Sequence, residues 1–271
     1  MRREAWIFTL GNEVVDGRVV NTNAAYIGRR LTLLGLEVFG NVSLIDDVDL
    51  VTQFLKYILS RRPGLVVTTG GLGPTYDDRT LEAVAKATDR GLVLNEGALR
   101  MVREKYESAG MGLTPEREKM AYLPEGAEPI PNPVGTAPGS WLSLGDTVIV
   151  SLPGVPRELK AMWEGYVEPR LRQLFPGVRL VERWFRVVGV PESSAAAVVK
   201  EVLKLVGGRS LYIKSHPKGS ETGEPILDFY VSASSVDEDP EGLVERAVTE
   251  LIERLKALGG EVVRSPSEEP D

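Results

Sequence analysis

Thr68-Thr69-Gly70-Gly71-Leu72-Gly73-Pro74-Thr75-Tyr76-Asp77-Asp78-Arg79-Thr80 is the stretch from which the rest of the chain is read. Ahead of it Gly64-Leu65-Val66-Val67 is a short apolar, β-branched run of the kind that forms a buried parallel strand, and behind it residues 81–87 carry the pattern of an amphipathic helix. The unit is a strand, a glycine turn and a helix start. Glycines at 70, 71 and 73 allow positive φ and leave N–H groups bare to a ligand. With the helix N-terminus they make a cradle for an anion, phosphate first of all, and a side chain on Gly71 would stand where that phosphate approaches. Asp77 and Asp78 lie beside the cradle, and unit like charges about 4 Å apart repel by roughly 4 kcal/mol at an effective dielectric near 20. Phosphate and aspartates are compatible when a cation lies between them, so a divalent metal, Mg²⁺, Mn²⁺ or Co²⁺, is expected. No lysine stands in the cradle itself, which leaves backbone dipoles and the metal to do the electrostatic work. The same string also reads as a tight turn with aspartates capping a helix; its spacing is neither a Walker loop nor the dinucleotide fingerprint.

The 271 residues can bury a sizeable core without staples. With no cysteine and a single histidine, His216, disulfides, thiol nucleophiles and histidine dyads are excluded. Catalysis would run on carboxylates, hydroxyls, lysine or arginine and a metal. The apolar run at the amino terminus is too short for a signal peptide and no stretch has the length of a membrane span, so a cytoplasmic protein without a membrane partner is expected. The formal net charge of −7 argues against broad nucleic-acid binding. Scarce Gln and Asn with abundant Arg, Glu and Pro suggest a thermophile source.

In chain order, residues 5–10 read as a strand that delivers Gly11-Asn12-Glu13 to the carboxyl end of an open α/β sheet, where ligand groups are presented. A helix over 24–34 follows, capped by Asn21 or Asn23 and stopped at Gly35. A strand over 36–43 delivers Asp46 and Asp47 to the start of a helix over 48–60, where first-turn carboxylates are favoured by the dipole. After the glycine unit come a short segment at 91–94, helices over 96–108 and 115–121, and a polar turn over 124–131. The Pro- and Gly-rich loop from Asn132 to Gly139 precedes a hairpin, 140–144 and 147–152, and Leu152-Pro153-Gly154-Val155-Pro156 opens a helix to about 174. Pro176-Gly177 is the best boundary. The order beyond it is strand (182–190), helix (193–205), two strands (210–215 and 226–234), helix (239–258) and a terminal strand near 261–263, then a polar tail. His216 sits at a strand end in the manner of a surface or hydrogen-bonded residue rather than a ligand.

Gly70-Gly71-Leu72-Gly73-Pro74-Thr75 followed by Asp77-Asp78-Arg79-Thr80 closely resembles the signature of the molybdopterin-binding-like domain of the competence/damage-inducible CinA family. Gly11-Asn12-Glu13, Gly17 and Asn21-Thr22-Asn23 look like that family's first block, with Asn12 where an aspartate is frequent. The resemblance implies a three-layer α-β-α domain over 1–175 and a smaller α+β, KH-like domain over 178–264, followed by a tail at 265–271; the amidase domain of bacterial members has no room here. It further implies substrate contacts at Gly11, Glu13, Asn23, Gly70, Gly71, Gly73 and Thr75, and at Asn132, Gly135, Thr136 and Gly154 in two loops that border the same pocket. In related molybdopterin enzymes an aspartate after the second strand and another after the glycine turn act together; Asp46 and Asp78 match them here, with Asp77 completing the metal set. The activity implied is metal-dependent hydrolysis of a small nucleotide of the ADP-ribose type, with molybdopterin adenylylation and non-catalytic nucleotide or pterin binding as alternatives. A KH domain that binds nucleic acid needs a Gly-x-x-Gly clamp, which this stretch lacks, so no nucleic-acid partner is expected. A homo-oligomer is compatible with the sequence.

Overall fold

A computed structural model describes residues 1–177, 179–208, 211–218, 225–235 and 239–263; the tail expected at 265–271 lies outside them. The chain divides into two units, Met1–Pro176 and Gly177–Asp271. The first begins β1 (Glu4–Leu10), α1 (Asn12–Val15), α2 (Thr22–Leu33), β2 (Glu37–Leu44), α3 (Val48–Ser60), β3 (Leu65–Thr69) and α4 (Thr80–Ala87). It continues with β4 (Leu92–Leu94), α5 (Glu96–Ser108), α6 (Pro115–Glu118), β5 (Tyr122–Pro124), β6 (Glu128–Ile130), β7 (Gly139–Leu144), β8 (Thr147–Leu152), α7 (Pro156–Met162) and α8 (Glu168–Leu174).

The main sheet has the order β2-β1-β3-β8-β7-β6. Its first four strands are mutually parallel, while β7 and β6 join antiparallel. Every residue of β3 is buried, as a central strand covered on both faces must be. Alternation sends Phe8 and Val66 into one layer with Val51, Leu55, Val84 and Val102 of α3, α4 and α5. It sends Ile7 and Val67 into the other with Ile27, Leu31, Leu159 and Leu171 of α2, α7 and α8. The result is a layered α-β-α unit. From β1 the chain winds through α2 to β2 on one side, then returns through α3 to β3 on the other. The carboxyl ends of β1 and β3 therefore flank the reversal point, where open sheets leave a crevice.

Of the two caps open to α2 it is Asn21 that serves, its side chain accepting from Ala24 N at 3.1 Å. One local finding differs from the sequence reading. The segment 124–131 is more than a turn: β6 pairs with the hairpin strand β7, and Pro129 is tolerated because β6 is the edge of the sheet. The helix over 156–174 is continuous but widens to a π turn at Trp163–Val167. Just after that turn Glu168 accepts from the Trp163 indole at 3.1 Å and from Arg30 and Arg172, joining α8 to α2.

The second unit comprises β9 (Arg179–Val188), α9 (Glu192–Val206), β10 (Leu211–Pro217), β11 (Ile226–Ser235), α10 (Pro240–Ala257) and β12 (Glu261–Val263). Its antiparallel sheet runs β10-β11-β9-β12 and packs Phe185, Val187, Phe229 and Val231 against Val198, Val202, Val244 and Leu251 of the two helices. His216 lies within β10, its ring stacked on Trp184 with centroids 5.9 Å apart. Among the described residues no helix is long and apolar enough to cross a membrane.

Candidate functional site

The carboxyl ends of β1, β2, β3 and β8 open onto a cleft of ≈ 540 Å³. The glycine turn after β3 forms its floor, and each glycine has its own reason for being there. Gly70 (φ +104) passes so close to β1 that a Cβ would stand 2.0 Å from Leu10 O, and its N–H donates to Leu152 O of β8 at 3.0 Å. That N–H is spoken for. Gly71 (φ +65) would place a Cβ 2.3 Å from Thr80 Oγ1, on the inner side of the turn rather than on the ligand side expected from sequence. Thr80 fastens the turn, its hydroxyl donating to Gly70 O at 2.8 Å and its N–H to Gly71 O at 3.1 Å. The N–H groups of Gly71, Leu72 and Gly73 have no acceptor among the described residues. They are the donors left for an anion.

Carboxylates surround this floor. Asp78 Oδ2 accepts from Thr75 N at 2.9 Å, and the Thr75 hydroxyl faces both Asp77 and Asp78. That hydroxyl bond holds the half-buried Asp77 carboxyl below its ordinary range. From β2, Asp46 reaches the same cleft, with Asn12 N donating to its Oδ2 at 3.1 Å. Burial raises the Asp46 pKa; the Asn12 N–H opposes this, and the negative charges of Glu13, Asp77 and Asp78 reinforce it. Glu13 folds over Gly11, where a Cβ would meet its Oε1 at 2.7 Å.

Of the residues expected at the site, Thr136 and Gly154 also line the cleft, whereas Asn23, Asn132 and Gly135 do not. Asn23 is a brace: its amide donates to Thr69 Oγ1 at 3.0 Å and Gly154 O at 2.8 Å, clasping the ends of β3 and β8. Asn132 is buried, accepts from Val134 N and Gly135 N, and donates to Glu158 Oε2 at 2.7 Å. Gly135 leaves room for that glutamate, whose Oε2 would lie 2.1 Å from a Cβ there. These two residues therefore serve the site through Glu158, which does line the cleft and which sequence reading missed. Its signal was its place in the first turn of α7, directly after the Pro153-Gly154 loop.

Lys119 was missed as well. It heads the 3₁₀ turn Lys119–Ala121, and its ammonium donates to Thr75 O, 44 residues distant in the chain. Burial lowers its pKa against the pull of Asp78 and Asp77. The glycine cradle itself has no lysine, as expected, but one stands beside it on the Thr75 carbonyl, outside the residues that line the cleft, where no local spacing could reveal it.

Among the described residues no three of the His, Cys, Asp and Glu side chains gather closely enough to hold a metal ion by themselves, so Asp46, Asp77 and Asp78 are not a ready-made ligand set. The site nonetheless fits Mg²⁺ in its usual mode, in which one or two carboxylates share the ion with substrate phosphate and water. Hard carboxylate oxygens and unpaired N–H donors stand on the same cleft, which is what that mode requires.

Residues 6–173 match the family described as "Probable molybdopterin binding domain". A protein of Pyrobaculum arsenaticum is 49% identical over 257 residues, 94% of this chain and 96% of its own length. One of Aeropyrum pernix is 46% identical over 264 residues, 97% of each chain. Among solved structures, that of the protein CinA with unknown function from Thermoplasma acidophilum is 43% identical with a TM-score of 0.58, covering 62% of this chain and 98% of that one.

Proposed function

The chain belongs to the molybdopterin-binding domain family and is related to CinA, and from that premise we propose that its first unit hydrolyses a nucleoside diphosphate derivative of the ADP-ribose type with the help of a divalent metal. The observation that carries the reading is the meeting of three unpaired N–H groups, at Gly71, Leu72 and Gly73, with the carboxylates of Asp46, Asp77 and Asp78 on one cleft. The N–H groups hold a phosphate of the substrate. Asp78, with Asp46 or Asp77, would hold the metal, which would neutralise charge developing on the phosphoryl group and acidify a water. Glu158, fixed by the Asn132 amide, stands at the cleft as an acceptor for a proton released there. The substrate itself comes from the CinA resemblance; the residues support a phosphate and a cation.

Adenylyl transfer onto a pterin is the second reading, favoured by the description of the matching family. Mere binding of a nucleotide without turnover is the third. In the second unit we read a small KH-like domain without a nucleic-acid clamp. Incubating the full chain with ADP-ribose and Mg²⁺, Mn²⁺ or Co²⁺, with and without chelator, tests the first reading: release of AMP that is lost in Asp78→Asn supports it. Thermal stabilisation by ADP-ribose without AMP release favours a binding protein, and AMP transfer that requires a pterin favours the second.

A further inference from the structure

Leu92, Val93 and Leu94 make up β4, and their side chains are exposed by 39%, 42% and 37%. Consecutive strand residues point to opposite faces, so this short strand is apolar and open on both. On one side it pairs with β5. The bonds flanking that ladder, Glu125 N to Gly91 O at 2.8 Å and Asn95 N to Ala121 O at 2.9 Å, fix which backbone groups are used. Residues 91, 93 and 95 turn their polar groups toward β5, so the N–H and C=O of Leu92 and Leu94 point the other way. Neither of those N–H groups has an acceptor among the described residues.

The ends of the main sheet are blunted against pairing with another chain. At one end β6 carries Pro129. At the other, β2 begins with exposed Glu37 and is followed by Asp46 and Asp47, so antiparallel pairing with a copy of itself would bring like charges together. β4 is the reverse case, with Arg90 just before it and exposed Glu96 just after it. When Val93 is set against Val93 of a second copy, Leu92 lies opposite Leu94 and their outward N–H and C=O groups are in register to bond. The same register brings Arg90 of each copy beside Glu96 of the other. One Arg90 N–H is given to Glu125 O, and the rest of the guanidinium fork is left for that carboxylate.

We infer that β4 is a self-pairing edge, through which two copies of this chain join as an isologous antiparallel dimer with Val93 on the twofold axis and the two β5-β4 sheets merged into one. Leucines cover one face of the joint and valines the other. Three residues from each copy bury less than a standard interface, so the dimer is a weak one, with a dissociation constant on the order of 10–100 µM. Symmetry makes every substitution count twice. The inference is independent of what the cleft binds.

Sedimentation velocity of the full chain from about 5 to 500 µM reads the association, with melting curves beside it. Leu94→Pro removes only an outward N–H, and Leu92→Lys puts a charge on the edge; neither takes a bond from the β4–β5 ladder. Both variants should stay monomeric throughout the range while melting near the parent. Arg90→Glu and Glu96→Arg should each weaken association about 10- to 30-fold. Mixing these two variants should restore it to within about threefold of the parent, because every contact between the copies then joins opposite charges. That rescue is one a loss of fold cannot produce, so it decides the matter even where the proline variant fails to fold. A parent that is monomeric at about 500 µM overturns the inference. So does association left unchanged by Leu94→Pro and Leu92→Lys, or a mixture of the charge variants that associates no better than either alone.

Discussion

Gly73 and Asp78 compete for one space: a Cβ on Gly73 would stand 2.6 Å from Asp78 Oδ2 and 3.1 Å from its Cγ. The missing side chain is what lets the carboxylate fold back toward the N–H of Thr75 at the rim of the cleft. Gly73 is not among the glycines with positive φ, so alanine meets no backbone strain there, only a carboxylate that can rotate away. Gly73→Ala should accordingly melt within about 2 °C of the parent. Turnover of ADP-ribose should fall about 10- to 100-fold, because the displaced carboxylate no longer faces the phosphate floor. Steady-state rates measured beside a melting curve check this, and full activity would show that the setting of Asp78 is immaterial.

Gly71 behaves differently, although it lies two residues away. Its φ of +65 and the 2.3 Å approach to Thr80 Oγ1 mean that alanine strains the backbone and pushes apart the bonds that fasten the turn. Gly71→Ala should cost about 1–3 kcal/mol of stability, a drop of several degrees in melting temperature. Loss of ligand binding would follow from the deformed turn rather than from a methyl group blocking the phosphate. A variant that melts like the parent yet fails to bind ADP-ribose would restore the blocking account.

Asn23 is placed as a brace, and its replacement separates that role from ligand contact. Asn23→Ala leaves the Gly154 carbonyl without its amide donor and removes the amide bridge from Thr69 Oγ1 to Gly154 O, while the Thr69 hydroxyl keeps its own bond to Pro153 O. A buried polar group left unpaired costs about 1–3 kcal/mol, so the midpoint of urea unfolding should fall measurably. Unchanged unfolding together with weaker nucleotide binding would return Asn23 to the list of substrate contacts.

The order of elements was legible because periodicity and punctuation are local. Leu65-Val66-Val67, the glycines after them and the apolar positions of α3 and α5 specify strand, turn and helix within a few residues, and the helix bounds at 48–60 and 96–108 agree with those read in advance. Most of the cleft was legible for the same reason, since strand ends in an open parallel sheet converge by topology. What sequence could not show were contacts made across it. Lys119 reaches Thr75 from an excursion containing α5, and Asn132 acts on the cleft only through Glu158. The direction of the Gly71 Cβ depends on where Thr80 closes the turn, which no spacing encodes. Edge strand β6 was hidden by its own proline, a residue that marks turns far more often than strands.

Asp46 offers a test of the electrostatics by pH. Burial raises its pKa in the folded protein above the ordinary value of 3.8, and Glu13, Asp77 and Asp78 push the same way. A carboxyl with a raised folded pKa binds its proton more tightly folded than unfolded, so the folded state is favoured by protonation and loses stability as pH rises from the ordinary value through the raised one. Above that window the ionised Asp46 is a cost, carried by the site until a cation or ligand offsets it. Asp46→Asn removes the charge while keeping an oxygen to accept from Asn12 N–H. It should therefore raise the melting temperature of the free protein by about 1–3 °C at neutral pH. That gain should vanish below about pH 3.5, where both the aspartate and its substitute are neutral. Added Mg²⁺ should narrow the neutral-pH gap, since the ion stabilises the parent and finds one carboxylate fewer in the variant. Melting curves of both proteins across pH, with and without Mg²⁺, measure all of this at once, and a variant less stable than the parent at neutral pH would mean that the hydrogen bond from Asn12 outweighs the crowding of charge in the cleft.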